Sequence, residues 1–198
     1  MGLRANNKGG DDFEIMPEDT HIAVCYGVID LGTQRGEYKG QEKINEKFML
    51  MFETPENRVE WEGEDKPMVI SKEYTKSTGT KSNLYKDLTS WRGKALTPDE
   101  SQDFDLTKLV GVACQLQVIH KTSAKGNKYP YINSIIKLPS NMTAPKAEHE
   151  YFIYELTEDY IPEEIPDWIK DKIKASLEWT GEKPFDGAPE EVSDVEPF

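Results

Sequence analysis

Between residues 21 and 31 the chain reads HIAVCYGVIDL, apolar and β-branched at odd and even positions alike. That pattern predicts a strand buried on both faces. A polar stretch, GTQRGEYKGQEKIN, separates it from KFMLMFET, where Phe48, Leu50 and Phe52 alternate and predict a second strand. A long charged hairpin loop is expected between the two. PMVISKEYTKS predicts a third strand whose period of two puts Lys72, Tyr74 and Lys76 on one face, the parity of Met68 and Ile70. The period then changes. In SNLYKDLTSWRG, Leu84, Leu88 and Trp91 recur at helical spacing, with Ser82 as N-cap and Gly93 as the stop. Thr97-Pro98-Asp99-Glu100 opens a second helix, Thr97 capping and Pro98 in the first helical position, expected to run towards Leu109.

Alternation returns from Val110, with Val112, Cys114, Leu116 and Val118 on one side and Gln115, Gln117 and Lys121 on the other. The turn TSAKGNK carries a hairpin signal, and YPYINSIIKLP supplies a fifth strand, Ile132 and Ile136 inward and Tyr129, Tyr131 and Asn133 outward. Past Pro145 a short extra strand is expected in YFIYEL, then a helix over 166–179 with Ile169, Ile173 and Leu177 in a stripe. The order β-β-β-α-β-β predicts a mainly β chain with the OB-fold, a five-stranded Greek-key barrel with added helices. The expected division is a disordered arm over 1–12, the OB domain over 13–145, an acidic connector and helix packing on the barrel over 146–180, and a disordered acidic tail over 181–198.

At 198 residues one packed core with appendages is the natural reading. No apolar run has the length of a membrane span and the first residues lack a signal-peptide pattern, so a cytoplasmic protein is expected. The two cysteines, Cys25 and Cys114, sit in apolar strand-like runs without metal or disulfide spacing and are read as reduced core residues.

The net charge of −13 argues against a nucleic-acid binder until its distribution is considered. Residues 20–145 hold 17 Lys and Arg against 16 Asp and Glu, so the acid lies in the flanks. Residues 66–94 carry seven basic and two acidic residues, and 106–145 carry five basic and none acidic. Single-strand binding needs cations along the phosphates and flat aromatic faces for the bases. The candidates are Arg35, Tyr38 and Lys39 with Lys43 in the first hairpin, Lys72, Tyr74 and Lys76 on the third strand, and Lys121, Lys125, Lys128, Tyr129 and Tyr131 on the last hairpin. Lys86 and Arg92 extend the track, while Trp91 is assigned to the core.

The runs YGVIDLGTQ, KSNLYKDLTSWRG, FDLTKLVGVACQLQVIHK and YPYINSIIKLP, within 13–139, resemble a group of bacteriophage and prophage OB-fold proteins regarded as single-stranded-DNA-binding replication or recombination factors. The end, Ser193-Asp194-Val195-Glu196-Pro197-Phe198, resembles the acidic tails of bacterial single-stranded-DNA-binding proteins, which commonly finish in Pro-Phe. The resemblance implies sequence-nonspecific DNA binding, no catalysis and no cofactor, and a partner-recruiting role for Asp194, Glu196, Pro197 and Phe198. A free carboxylate, an aromatic ring and nearby acids suit a pocket with a basic rim and an apolar floor.

Three other readings suit parts of the sequence. His21, His120 and His149 lack ligand spacing and no phosphate loop or nucleophile elbow occurs, which leaves a metal nuclease built on Asp30 and Glu53 as the enzyme alternative. An adaptor of the replication machinery without DNA binding suits the overall acidity. RNA is the third option, since OB barrels lacking a 2′-hydroxyl pocket tolerate both polymers.

Overall fold

A computed structural model of the chain describes residues 14–61, 63–157 and 159–181. The expected arm over 1–12 and the tail from 182 onward, with Asp194, Glu196, Pro197 and Phe198, lie outside the described residues. In chain order the elements are β1 (Asp19–Tyr38), β2 (Gln41–Trp61), β3 (Glu64–Thr75), α1 (Asn83–Arg92), α2 (Pro98–Gln102), a 3-10 turn (Leu106–Leu109), β4 (Ala113–Thr122), β5 (Lys128–Lys137), β6 (Phe152–Tyr154) and α3 (Asp167–Lys174). The protein is mainly β. The strands form one sheet in the order β3-β2-β1-β4-β5, antiparallel throughout, with β6 added in parallel to β1. The end strands β3 and β5 come into contact without sharing a ladder. Among the described residues no helix is long and apolar enough to cross a membrane.

The double parity of β1 has a direct cause: the sheet carries a core on each face. Ala23, Cys25 and Val28 enter the first core with Phe48, Leu50 and Phe52, and Leu84, Leu88 and Trp91 of α1 close it over Cys114, Leu116, Val118 and Ile132. Tyr26, Ile29 and Leu31 enter the second with Met49 and Met51, under Tyr154, Ile165, Ile169, Ile173 and Trp179. The run FMLMF therefore serves both cores, residue by residue. Register shifts at 25–27 and 30–32 bend β1 between its β4-paired and β2-paired portions. Gly27 is required at the first bend, because a Cβ there would stand 2.5 Å from the ring of its β6 partner Phe152. Both cysteines are free and buried, and burial pushes the Cys25 thiol up to about 12.

Helix boundaries follow the capping signals. Tyr85 N–H donates to Ser82 Oγ at 3.1 Å and Gly93 ends α1 in the left-handed region at φ 69°. Thr97 and Glu100 form the capping box of α2, which stops at Gln102 short of the expected run to Leu109. Three inward assignments are corrected. Asn133 is bulged out of the β4–β5 register, so the parity flips, Ile135 is buried and Ile136 is 39% exposed. Val112 precedes β4 and is exposed. Leu177 lies past the end of α3 and is exposed, its amide donating to the Thr33 carbonyl.

Candidate nucleic-acid interface

The β4–β5 hairpin brings together most of what its sequence suggested. Lys121 pairs across the ladder with Tyr129 and Ile119 with Tyr131, so these four side chains share the outward face. Lys121 Nζ stands 3.1 Å from the centroid of the Tyr131 ring. Further along the same face Asn133 Nδ2 donates to Gln117 Oε1 at 2.8 Å, and Ser134 Oγ donates to the same oxygen. Lys125 and Lys128 are exposed at the hairpin end. No acidic residue occurs between 106 and 145. The C-terminal helix packs on β1 and β2 at the second core.

The β3 candidates are corrected. Tyr74 is 3% exposed, lies in the first core stacked on Phe48 with ring centroids 5.6 Å apart, and cannot offer a face to a base. It shares the parity of Met68 and Ile70 because that whole face of β3 points inward. Lys72 sits on the same face. Its amine lies 2.7 Å from Asp87 Oδ2 on α1, and the Tyr74 hydroxyl donates to that oxygen at 2.7 Å. Burial, and then the Asp87 charge, push the Tyr74 phenol well above its ordinary range, which keeps it a donor. The Lys72 ammonium is 5.8 Å from the Tyr131 ring centroid, across the gap between β3 and β5. Paired to Asp87, it stands near that ring as a fixed charge.

The expected loop between the first two strands is a β-ribbon. β1 runs on to Tyr38 and β2 begins at Gln41, with Lys39 at φ 54° and Gly40 at φ 75° in a two-residue turn. Regular pairing from Gly32 with Lys47 to Tyr38 with Gln41 sorts the ribbon's side chains. Tyr38, Gln34, Gln41, Lys43 and Asn45 share one face with no carboxylate, whereas Glu37, Glu42, Glu46, Arg35 and Ile44 share the other. Tyr38 is 59% exposed, with the ammonium groups of Lys39 and Lys43 at 5.3 and 5.6 Å from its ring centroid. Arg35 lies on the acidic face and pairs with Glu42 at 3.4 Å.

The remaining cations divide by partner. Arg92 is clamped to both oxygens of Glu100 and covers the Phe104 ring at 5.6 Å, tying α1 to α2. The Arg92 hydrogen bond, with the Thr97 amide behind it, holds the Glu100 carboxyl down to about 2. Lys76 pairs with Asp30 at 2.8 Å. Lys86 is exposed on α1 and, like Lys121 and Lys128, forms no ion pair among the described residues.

The outward face of β1 and β2 is closed by the C-terminal segment. Glu53 is fully buried there, accepting from the Glu148 and His149 amides and lying 2.7 Å from His149 Nδ1, whose ring stacks on Tyr26. Glu73 bridges Lys47 at 2.6 Å and Lys172 of α3 at 2.8 Å. Burial alone would push its carboxyl up, and the two ammonium groups outweigh it and hold it below the ordinary range. Asp30 and Glu53 are five rungs apart along β1 and β2, with Asp30 opposite Phe48 and Glu53 opposite Val24, so this candidate nuclease pair is not brought together. Among the described residues no group of three His, Cys, Asp or Glu side chains forms a metal site.

Sequence reading overlooked Asp87 and the Gln117–Asn133 amide pair. Asp87 had a signal: it falls within the helical stripe of Leu84, Leu88 and Trp91, where a carboxylate demands a buried partner. The amide pair had one too, since both residues carry the outward parity of Lys121 and Tyr131. The fold and this surface define a mainly β protein with a tyrosine-bearing hairpin face whose strands carry no acidic residue. Against known proteins, no family model matches the chain and no curated protein matches it.

Proposed function

We propose that the chain binds single-stranded DNA without sequence preference, in replication or recombination of the phage type, on an OB-like barrel. The observation that carries this reading is the outward β4–β5 face: Lys121, Tyr129 and Tyr131 on a hairpin with no acidic residue of its own, in a chain of net charge −13. Support for the barrel comes from the strand order β3-β2-β1-β4-β5, the contact between β3 and β5, and a helix between the third and fourth strands. OB barrels commonly grip oligonucleotides on the face of strands two and three. Here Met49, Met51 and Val69 on that face pack against α3 and its approach. The track therefore follows the β4–β5 hairpin, with Lys125 and Lys128 at its end, Lys86 alongside, and Tyr38 with Lys39 and Lys43 on the ribbon as a second contact. The tail residues Asp194, Glu196, Pro197 and Phe198 recruit partner proteins.

Titration of a fluorescent oligo-dT at several salt concentrations tests the proposal. Binding whose affinity falls steeply as salt rises is expected. No binding even at low salt would leave the adaptor reading, favoured by the acidity of the flanks, in its place.

A further inference from the structure

Building on the nucleic-acid reading of the β4–β5 face, we propose that Lys121 caps the Tyr131 ring and must leave it before a base can stack there. Stacking is then an exchange of a cation for a base. At 3.1 Å from the ring centroid the Lys121 ammonium stands over the face of the ring, in the space a stacked base would fill. The two cations near this ring differ in freedom. Lys72, its side chain 10% exposed and paired to Asp87 at 2.7 Å, is fixed. Lys121 is exposed, lies on a hairpin with no acidic residue of its own, forms no ion pair among the described residues, and swings on a four-carbon stem. A base that displaces it brings its own phosphate within one side-chain length, so the released ammonium exchanges a π-face for a full negative charge.

Lys121 thus acts in two opposed ways. In the free protein it stabilises the unbound ring by about twofold to fivefold, the strength of an exposed cation–π contact. In the complex it neutralises a phosphate. A base stack of ordinary strength outweighs the first effect. Tyr131 therefore discriminates against weakly stacking ligands, because they cannot evict the lysine.

The test is a double-mutant cycle on oligo-dT affinity with Lys121→Met, Tyr131→Leu and the double variant, each at several salt concentrations. Lys121→Met lowers the salt slope by about 1 in either background. If the exchange holds, its loss of affinity is about twofold to fivefold smaller in the wild-type background than in the Tyr131→Leu background. Equal losses in both backgrounds overturn the exchange and leave the DNA-binding reading standing. Absence of wild-type binding at low salt overturns both. A second readout needs no variant of Tyr131: the Lys121 ε-methylene protons are shifted upfield by the ring in the free protein and return to their ordinary position on saturation with oligo-dT. Protons that stay upfield in the saturated complex overturn the exchange.

Discussion

Lys72 Nζ and Asp87 Oδ2 meet at 2.7 Å between β3 and α1, with side chains 10% and 13% exposed, and this pair fastens α1 where it closes the first core. Removing one partner strands the other charge out of water. Lys72→Met is expected to cost about 3 kcal/mol of unfolding free energy, and the double variant Lys72→Met, Asp87→Leu to recover most of it. Urea titration of the two variants and the wild type measures both effects.

On the hairpin the prediction concerns binding rather than stability. Tyr129 and Tyr131 are outward and half-buried, so replacing both with Ala should weaken oligo-dT binding by about tenfold or more, at the usual strength of base stacking. Tyr74→Phe, by contrast, removes only a hydroxyl in the core and should leave affinity unchanged. Anisotropy titrations at one salt concentration separate them, and an unchanged double Ala variant would take both tyrosines out of the site.

Acid should loosen the C-terminal helix in a definable window. Glu73 keeps its charge below the ordinary carboxylate range because Lys172 and Lys47 hold it ionised against burial. A depressed folded value contributes stability that is present at neutral pH and is lost as pH falls through that value. Glu73→Gln should therefore have a lower Tm than the wild type at pH 7. The gap should close as pH drops below about 4, where the unfolded glutamate is protonated and the folded one follows. A gap that persists at low pH would mean the residue acts through packing.

Two truncations should have opposite outcomes. Ending the chain at residue 181 retains Tyr154, Ile165, Ile169, Ile173 and Trp179, so the fold should survive, with tighter DNA binding at low salt once six acids are removed. Ending it at residue 145 uncovers Tyr26, Ile29, Leu31, Met49 and Met51 together and should give an aggregating protein. Light scattering and circular dichroism of the two products distinguish them.

How much of this was legible in the chain can be followed through single residues. Ser82, Gly93, Thr97 and Glu100 announced their helix ends because capping is a contact between residues a few positions apart. The double parity of β1 signals burial on both faces without naming either covering layer. Local pattern failed where distant groups decided. The segment over 32–45 is polar enough to read as loop, and only its cross-strand register makes it a ribbon with a tyrosine face and an acidic face. Simple alternation points Ile136 inward, and the bulge at Asn133 against β4 turns it out. Lys72, Tyr74 and Arg92 looked available because a cation or phenol does not carry its partner in its own neighbourhood: Asp87 and Glu100 reach them only through folding. The sequence by itself determined the mainly β character, the order of elements and the stretch free of acid. Which charges are spent inside the protein and which remain on its surface was decided by tertiary structure, because ion pairing depends on distances of a few ångströms between residues far apart in the chain.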